Sequence, residues 1–404
     1  MAVVKLKRLP FALLLLTLIA WTNHISWPPT LETKKEKKIL PLAMLHMGPG
    51  KTGTSSIQDA LRDNNILESL DEDGWDASLI RGTSESKTIG KCIFYHQDCK
   101  SEGWRNALNA TVSNGAERGK DLLMSDEVMA HFDLASNAHW KQLSSLLKKH
   151  YRVHAILAYR RYFEWVPSYY MQQYKIKGPY GKRTINWPSQ GGVIIPSFVE
   201  FWNQMHHHTE LEGLEPRHNQ WDEETGLPIH KTLKIKSRLE AQSISVTIMN
   251  YHSGDVTETF FCSALPHAHR TCQKIKNRNA IRKNKSKDTF DYDIIAVAAK
   301  EAGLLRDDVG RSSSRAHIKR FLVTTNQTVE RDLPLKCLEK SKESLLRQIS
   351  YEAEEQLMPS LLSSFNTSFA AAIEKHKFCN VDATILLQNK TWRSFLSSIG
   401  SSNG

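Results

Sequence analysis

No Cys-x-x-Cys pair occurs in this 404-residue chain, although it holds six cysteines, Cys92, Cys99, Cys262, Cys272, Cys337 and Cys379. That absence argues against zinc knuckles and thioredoxin-like chemistry, while an even set suits structural disulfides in an oxidising compartment. Glycine and proline are scarce, at 20 and 14 residues, which excludes collagen-like and Pro/Gly low-complexity chains. There is no internal repeat. Acidic residues are the minority charge. The 43 Asp plus Glu stand against 54 Lys plus Arg, a formal charge of +11 that favours an anionic ligand or surface. With 40% hydrophobic and 24% charged residues, a globular fold with a sizeable core is expected.

Long hydrophobic runs are also missing. The most apolar stretch, Leu9 to Trp21, follows Lys5, Lys7 and Arg8 and precedes Trp27, Pro28 and Pro29. A spanning helix needs about 20 apolar residues, and a secretory signal peptide about 7–15 behind a basic start. Both deliver the chain to the secretory lumen. No small-x-small cleavage site stands out, and Trp21 and Trp27 suit a membrane interface. The expectation is therefore a cytosolic tail (1–8), an uncleaved signal anchor (9–27), a Lys-rich stem (28–39) and a lumenal domain (40–404), with a cleaved signal peptide as the alternative. Lys34, Lys35, Lys37 and Lys38 weaken the charge asymmetry that would orient the anchor. Asn-x-Ser/Thr sequons at Asn109, Asn284, Asn326, Asn366 and Asn389 fit a lumenal, loop-exposed surface. Cys92 with Cys99 and Cys262 with Cys272 are the natural short disulfide loops, leaving Cys337 with Cys379, although six cysteines permit fifteen pairings.

Apolar runs at Ile39 to Leu45, Asp121 to Ser125, Val153 to Tyr159 and Ser245 to Tyr251 read as buried strands. Helical spacing separates them, from Ser55 onwards, over Trp140 to Lys149 and over Phe198 to Met205. Apolar strands alternating with helices predict an α/β fold, a parallel sheet flanked by helices on both faces. Gly178 to Pro196 and residues 207–235 read as polar surface insertions. From about residue 330 the spacing turns helical, over Leu338 to Leu357 and Leu361 to Ile373 with Pro359 between them, so a helical C-terminal part is expected.

The sharpest motif is His46 to Gln58, HMGPGKTGTSSIQ, where the first strand meets a helix. A glycine-rich turn points backbone N–H groups at one spot and holds phosphate there. Lys51 adds charge, and Thr52, Thr54, Ser55 and Ser56 add hydroxyls. It is not a Walker A loop, because the position of the first Walker glycine is Leu45. A second segment, Tyr159 to Tyr174, follows the third of these strands and sets Arg160 eight residues before Ser168. An arginine fork at a strand's end and a hydroxyl two helical turns on can converge on one phosphate.

PGKTGTSS resembles the 5′-phosphosulfate loop of the sulfotransferases that use 3′-phosphoadenosine 5′-phosphosulfate (PAPS), and the second segment resembles their 3′-phosphate element. The resemblance implies a three-layer, P-loop-like fold. It also implies that Lys51 contacts the bridging oxygen and sulfonate, that Thr52, Gly53, Thr54, Ser55 and Ser56 cradle the 5′-phosphate, and that Arg160 and Ser168 take the 3′-phosphate. Tyr170 matches the aromatic that follows. Two positions depart from the family, Tyr162 for its usual proline and Trp165 for its second arginine, which leaves Arg161 to share or replace Arg160. Sulfuryl transfer requires a base beside the loop, and Golgi-type carbohydrate sulfotransferases commonly use a glutamate. Glu127 is the expected base, with Asp126 as its neighbour and His131 in reserve. Arg270 to Lys287 carries eight basic residues and no acidic one, resembling the basic loop that closes the family's donor site; Arg278, Asn279, Lys283 and Lys285 are candidates there.

The implied protein is a Golgi-type, single-pass type II membrane enzyme with PAPS as co-substrate and 3′-phosphoadenosine 5′-phosphate as product. Its acceptor is a carbohydrate hydroxyl or amine, with no metal and no nucleic acid. His206 to His208 lack cysteine or carboxylate partners at ligand spacing. A P-loop kinase or NTPase and a non-enzymatic polyanion-binding protein are the competing classes.

Overall fold

The computed structural model describes residues 39–48, 52–80, 103–125, 137–174, 195–206, 228–252, 254–278, 288–306 and 308–399. Its centre is a five-stranded sheet of β1 (Leu42–Met47), β2 (Trp75–Ile80), β3 (Asp121–Ser125), β4 (Arg152–Tyr159) and β5 (Ser245–Asn250). Every pairing is parallel, in the order β2-β3-β1-β4-β5. Helices α1 (Thr54–Ala60) and α2 (Asn64–Glu72) lie between β1 and β2, α3 (Gly103–Glu117) between β2 and β3, and α4 (Asn137–His150) between β3 and β4. Between β4 and β5 come α5 (Tyr162–Gln173), α6 (Phe198–His206) and α7 (Pro228–Ala241).

Successive strand residues face opposite sides of the sheet, and β1 feeds both. Ala43, Leu45 and Met47 pack with Leu108 and Val112 of α3, Leu143 and Leu147 of α4, and Ile235 and Leu239 of α7. Met44 packs the other way, with Ile57 of α1, Leu61 just after it, Leu70 of α2, and Phe260 and Phe261. Burial from both sides explains the unbroken apolar run, and the result is the expected three-layer, P-loop-like α/β fold.

After β5 the chain forms α8 (Val256–Thr259), which runs into a π turn over Phe260–Ala264, and then α9 (His269–Lys276). The remainder is mostly helical: α10 (Asp288–Glu301), α11 (Arg311–Thr324), α12 (Val329–Asp332), α13 (Lys340–Leu357), a 3-10 turn (Pro359–Ser364), α14 (Phe365–Glu374), α15 (Ala383–Leu386) and α16 (Lys390–Ser398). It also contains an antiparallel pair, β6 (Leu335–Cys337) and β7 (Cys379–Val381), which the sequence pattern did not announce because each strand is only three residues long. This helical region starts near residue 288 rather than 330. It shares one core with the sheet's flank, since Phe163 of α5 and Trp202 of α6 belong to the same buried cluster as Ile295, Phe365 and Phe369.

Other boundaries differ from expectation for identifiable reasons. β1 begins at Leu42, not Ile39, and the Ile39 side chain is 81% exposed. β2 was not foreseen: WDASLI has no apolar run, because it is an edge strand whose register with β3 shifts between Asp76 and Leu79. The polar insertion ends before residue 228, where Pro228 opens α7 in the first-turn position that tolerates proline.

Cys262–Cys272 and Cys337–Cys379 are disulfide-bonded, the second across directly paired residues of β6 and β7. Cys92 and Cys99 lie outside the described residues, as do Asn284, most of Gly178 to Pro196 and the expected anchor. Among the described residues no helix is long and apolar enough to cross a membrane. Asn109, Asn326, Asn366 and Asn389 are all exposed, though Asn109 and Asn366 sit on helices rather than loops. Asn389 is also the N-cap of α16, accepting from the N–H groups of Thr391 and Trp392.

Candidate functional site

Strands β1 and β3 are neighbours, yet the chain leaves them in opposite senses. From β1 it passes through α1 and α2 to β2 on one side, and from β3 it passes through α4 to β4 on the other, beyond β1. Where consecutive connections part like this, a crevice opens outside the strands' carboxyl ends. The last β1–β3 pair in register is His46 with Ser125, β1 pairs with β4 as far as Met47 with Leu157, and β4 with β5 as far as Tyr159 with Asn250. The carboxyl ends of β1, β3, β4 and β5 therefore lie on one edge of the sheet. In the chain, the motifs singled out from the sequence follow those strands.

Gly53 opens α1 in the left-handed region, φ 85°, and its carbonyl accepts from the N–H groups of Ser56 and Ile57 at 3.0 and 3.3 Å. A Cβ there would stand 2.8 Å from Val256 Cγ2 and 3.0 Å from Tyr251 Cε2, so both backbone and space demand glycine. Thr52 is buried and Ser56 exposed. Lys51 lies outside the described residues, and only the backbone of Thr54 and Ser55 is described.

Tyr251 follows β5, with its N–H donating to the Tyr159 carbonyl at 2.9 Å. The Arg160 guanidinium carbon lies 5.0 Å from the centre of the Tyr251 ring, within cation–π range. One aromatic ring thus touches the glycine turn after β1 and the arginine after β4. Burial pulls the Arg160 pKa below its ordinary value, opposed by Tyr251 and Glu164. Arginine nonetheless keeps its charge in such settings.

Arg161 does not share this position. Its Nε donates to both Glu354 carboxylate oxygens at 3.2 and 3.1 Å, and its Nη2 to Ser364 Oγ at 2.7 Å and the Leu361 carbonyl at 3.2 Å. Its side chain is therefore turned into the C-terminal helices. The Arg161 N–H donates to His252 Nε2 at 3.0 Å, which leaves the proton on Nδ1, 3.5 Å from Glu164 Oε2. Burial, opposed by Glu164, lowers the His252 pKa to about 4. Ser168 is half-buried in the second turn of α5. Tyr170 belongs to the core: it is buried against Phe198, Phe201 and Phe290, and its hydroxyl donates to the Pro196 carbonyl at 2.6 Å.

At the end of β3, Ser125 is fully buried, 2.8 Å from Nδ1 of the equally buried His46. His46 Nε2 has no hydrogen-bond partner among the described residues, and the ring centre lies 4.6 Å from that of Phe260. Burial lowers the His46 pKa to about 3, so the ring is neutral. Sequence reasoning passed over His46, although its signal was visible as the one polar residue in LAMLHM. Asp126, Glu127 and His131 lie outside the described residues.

Part of the basic run has a structural role. Arg270 pairs with Glu72 at 3.0 Å, Lys274 donates to the Asn65 carbonyl at 3.1 Å, and Arg278 stands 3.6 Å from Asp63. These contacts brace α9 against α2. Asn279, Lys283 and Lys285 lie outside the described residues. His376 adjoins Cys337 and Cys379, with ligand atoms within 4.8 Å, but the two sulfurs are bonded to each other.

In comparisons with protein-family models, with curated proteins and with solved structures, nothing matches this chain.

Proposed function

We propose that this protein is a sulfotransferase that moves a sulfuryl group from PAPS to a carbohydrate hydroxyl or amine. The supporting observation is the meeting of Gly53, Tyr251 and Arg160 at the carboxyl edge of a parallel sheet ordered β2-β3-β1-β4-β5. A glycine turn closed to any side chain and a partly buried arginine, joined by one aromatic ring, suit a ligand with a phosphate at each end. A donor phosphorylated at both the 5′ and 3′ positions has that form.

In this reading PAPS supplies the activated S–O bond. The acceptor oxygen or nitrogen attacks sulfur in line, the bond to the 5′-phosphate breaks, and 3′-phosphoadenosine 5′-phosphate leaves. Lys51 neutralises the charge that grows on the bridging oxygen, and Gly53 with its hydroxyl neighbours holds the 5′-phosphate. Glu127 takes the acceptor's proton. Arg160 and Ser168 anchor the 3′-phosphate, and Arg278 with the rest of the basic run draws the anionic donor inward. The leader anchors the enzyme in a Golgi membrane with this domain in the lumen.

The test is thermal stability of the full chain with 3′-phosphoadenosine 5′-phosphate, and separately with ATP and magnesium, repeated on Lys51→Ala and Arg160→Ala. A ligand at 100 times its dissociation constant adds about 2.7 kcal/mol. Stabilisation by the bisphosphate alone, lost in both variants, is the expected result. Stabilisation by ATP with magnesium alone would replace the sulfotransferase with a kinase or NTPase, chemistry in which a metal bridges the phosphates. No response to either would leave polyanion binding by the basic run as the function.

A further inference from the structure

One buried carboxylate grips both neighbours of Arg160. Glu354, in the last turn of α13, is fully buried. It accepts from the Tyr159 hydroxyl at 3.2 Å and from Arg161 Nε at 3.2 and 3.1 Å. Successive side chains of an extended chain leave on opposite sides. With residues 159 and 161 both tied to Glu354, the side chain between them lies on the other side, over Tyr251. A second contact from the C-terminal region supports the same corner, where Lys377 reaches Glu164 at 3.4 Å and Glu164 in turn faces His252. Tyr159 ends β4 and Arg161 immediately precedes α5, so Glu354 fixes the bend between strand and helix.

A buried ion pair is weak evidence for stability, because well-packed apolar side chains of similar volume often serve as well. What an apolar pair would not supply is direction, since only the forked hydrogen bonds define how the chain turns at this corner. We propose that Glu354 is a positioning residue for the donor site, aiming Arg160 at the ligand's 3′-phosphate by fixing Tyr159 and Arg161. This role rests on the sulfuryl-donor reading. It makes the C-terminal helical region part of the donor site, although none of its residues need touch the donor.

The test compares affinities for 3′-phosphoadenosine 5′-phosphate and adenosine 5′-phosphate, which differ only in the group Arg160 would read. The proteins are the full-length wild type, Arg160→Ala, Glu354→Gln and the apolar double variant Arg161→Leu/Glu354→Leu. The double variant leaves no unpaired buried charge and so guards against a mere folding failure, checked by its melting temperature. Wild type is expected to prefer the bisphosphate by about 10-fold or more, the scale of a charge-assisted phosphate contact. That preference should collapse in Arg160→Ala and in both Glu354 variants, with affinity for the 5′-phosphate held within about 2-fold because the glycine turn is untouched. Equal loss of both nucleotides, or a wild-type preference retained in the folded variants, overturns the positioning role alone. If wild type shows no preference, or Arg160→Ala leaves it intact, the sulfuryl-donor reading itself falls and takes this role with it.

Discussion

At Gly53 the two reasons for glycine are independent and should add. A side chain in the left-handed region costs about 1–2 kcal/mol, and forcing a methyl against packed neighbours about 1–3. Gly53→Ala is therefore expected to lose about 2–5 kcal/mol in chemical denaturation and, because Tyr251 must shift, to weaken nucleotide binding as well. His46 offers a pH test with a definite sign. Its pKa falls from 6.5 to about 3 on burial. Above pH 6.5 the ring is neutral in both states and contributes no pH dependence. Below it the unfolded chain takes up a proton that the folded one refuses, so stability drops by about 1.4 kcal/mol per unit down to pH 3. In His46→Leu the unfolding free energy between pH 6 and 4 should lose one proton's worth of slope whatever its absolute stability; an unchanged slope would mean His46 takes up its proton in the folded state too. Single residues were also the least evenly legible feature of the sequence. Gly53 and Arg160 announced themselves through local spacing, whereas Tyr251 and Glu354 matter only because the fold brings β5 and α13 to β4, and no local pattern encodes that.

Among the elements, strands with an apolar run could be read and those without one could not. The apolar runs of β1, β3 and β4 stand out because helices cover both sides of them, and β5, the opposite edge of the sheet, is legible through Val246, Ile248 and Met249. β2 escaped notice because an edge strand has one neighbour and tolerates Asp76 and Ser78. The basic run divides: charge without periodicity reads as a lid, and within it Arg270 and Lys274 lie on α9, where they hold it to α2. The anchor of that packing is Asp73, which accepts from the Arg270 and Thr271 N–H groups at 3.1 and 2.9 Å and from Thr271 Oγ1 at 2.8 Å. Since α9 has no side-chain cap of its own, Asp73 serves as a cap supplied by another helix. Asp73→Ala should cost about 1–2 kcal/mol, the value of a lost cap, and Glu72→Ala no more than about 1, the worth of an exposed pair. Equal effects in the two variants would refute the capping role. The disulfides allow a similar ranking, because a crosslink stabilises more the longer the loop it closes. Their separations are 10 and 42 residues, giving about 3 kcal/mol for Cys262–Cys272 and about 4 for Cys337–Cys379 on the loop-entropy estimate. Paired Cys→Ala variants, compared by denaturant midpoints, should keep that order.

For the molecule as a whole, the question is whether the C-terminal helices are an addition to an α/β unit that folds without them, or part of its core. Residues from 41 onwards form one compact unit. The buried cluster on the outer side of α5 and α6 is completed by α10 to α16: Phe163 lies 5.7 and 5.1 Å from Phe365 and Phe369, ring centre to ring centre. Ending the chain after residue 330 would remove Glu354 from Arg161, Asn380 from the Phe198 N–H at 2.7 Å, and the apolar cover of Phe163, Phe198 and Trp202. Each large side chain so uncovered forfeits about 1.5–3 kcal/mol, and the stranded guanidinium about 3–5 more. Their sum, about 7–14 kcal/mol, is as large as the 5–15 kcal/mol that typically separates folded from unfolded chains. The truncated protein is expected to lack a cooperative thermal transition and to be digested by protease throughout, including β1 and the glycine turn. A truncated chain that melts cooperatively and still binds 3′-phosphoadenosine 5′-phosphate would show the parallel sheet to be self-sufficient. It would also remove the whole-molecule reason for Glu354's place beside Arg161, since a donor site that forms without α13 does not need its carboxylate.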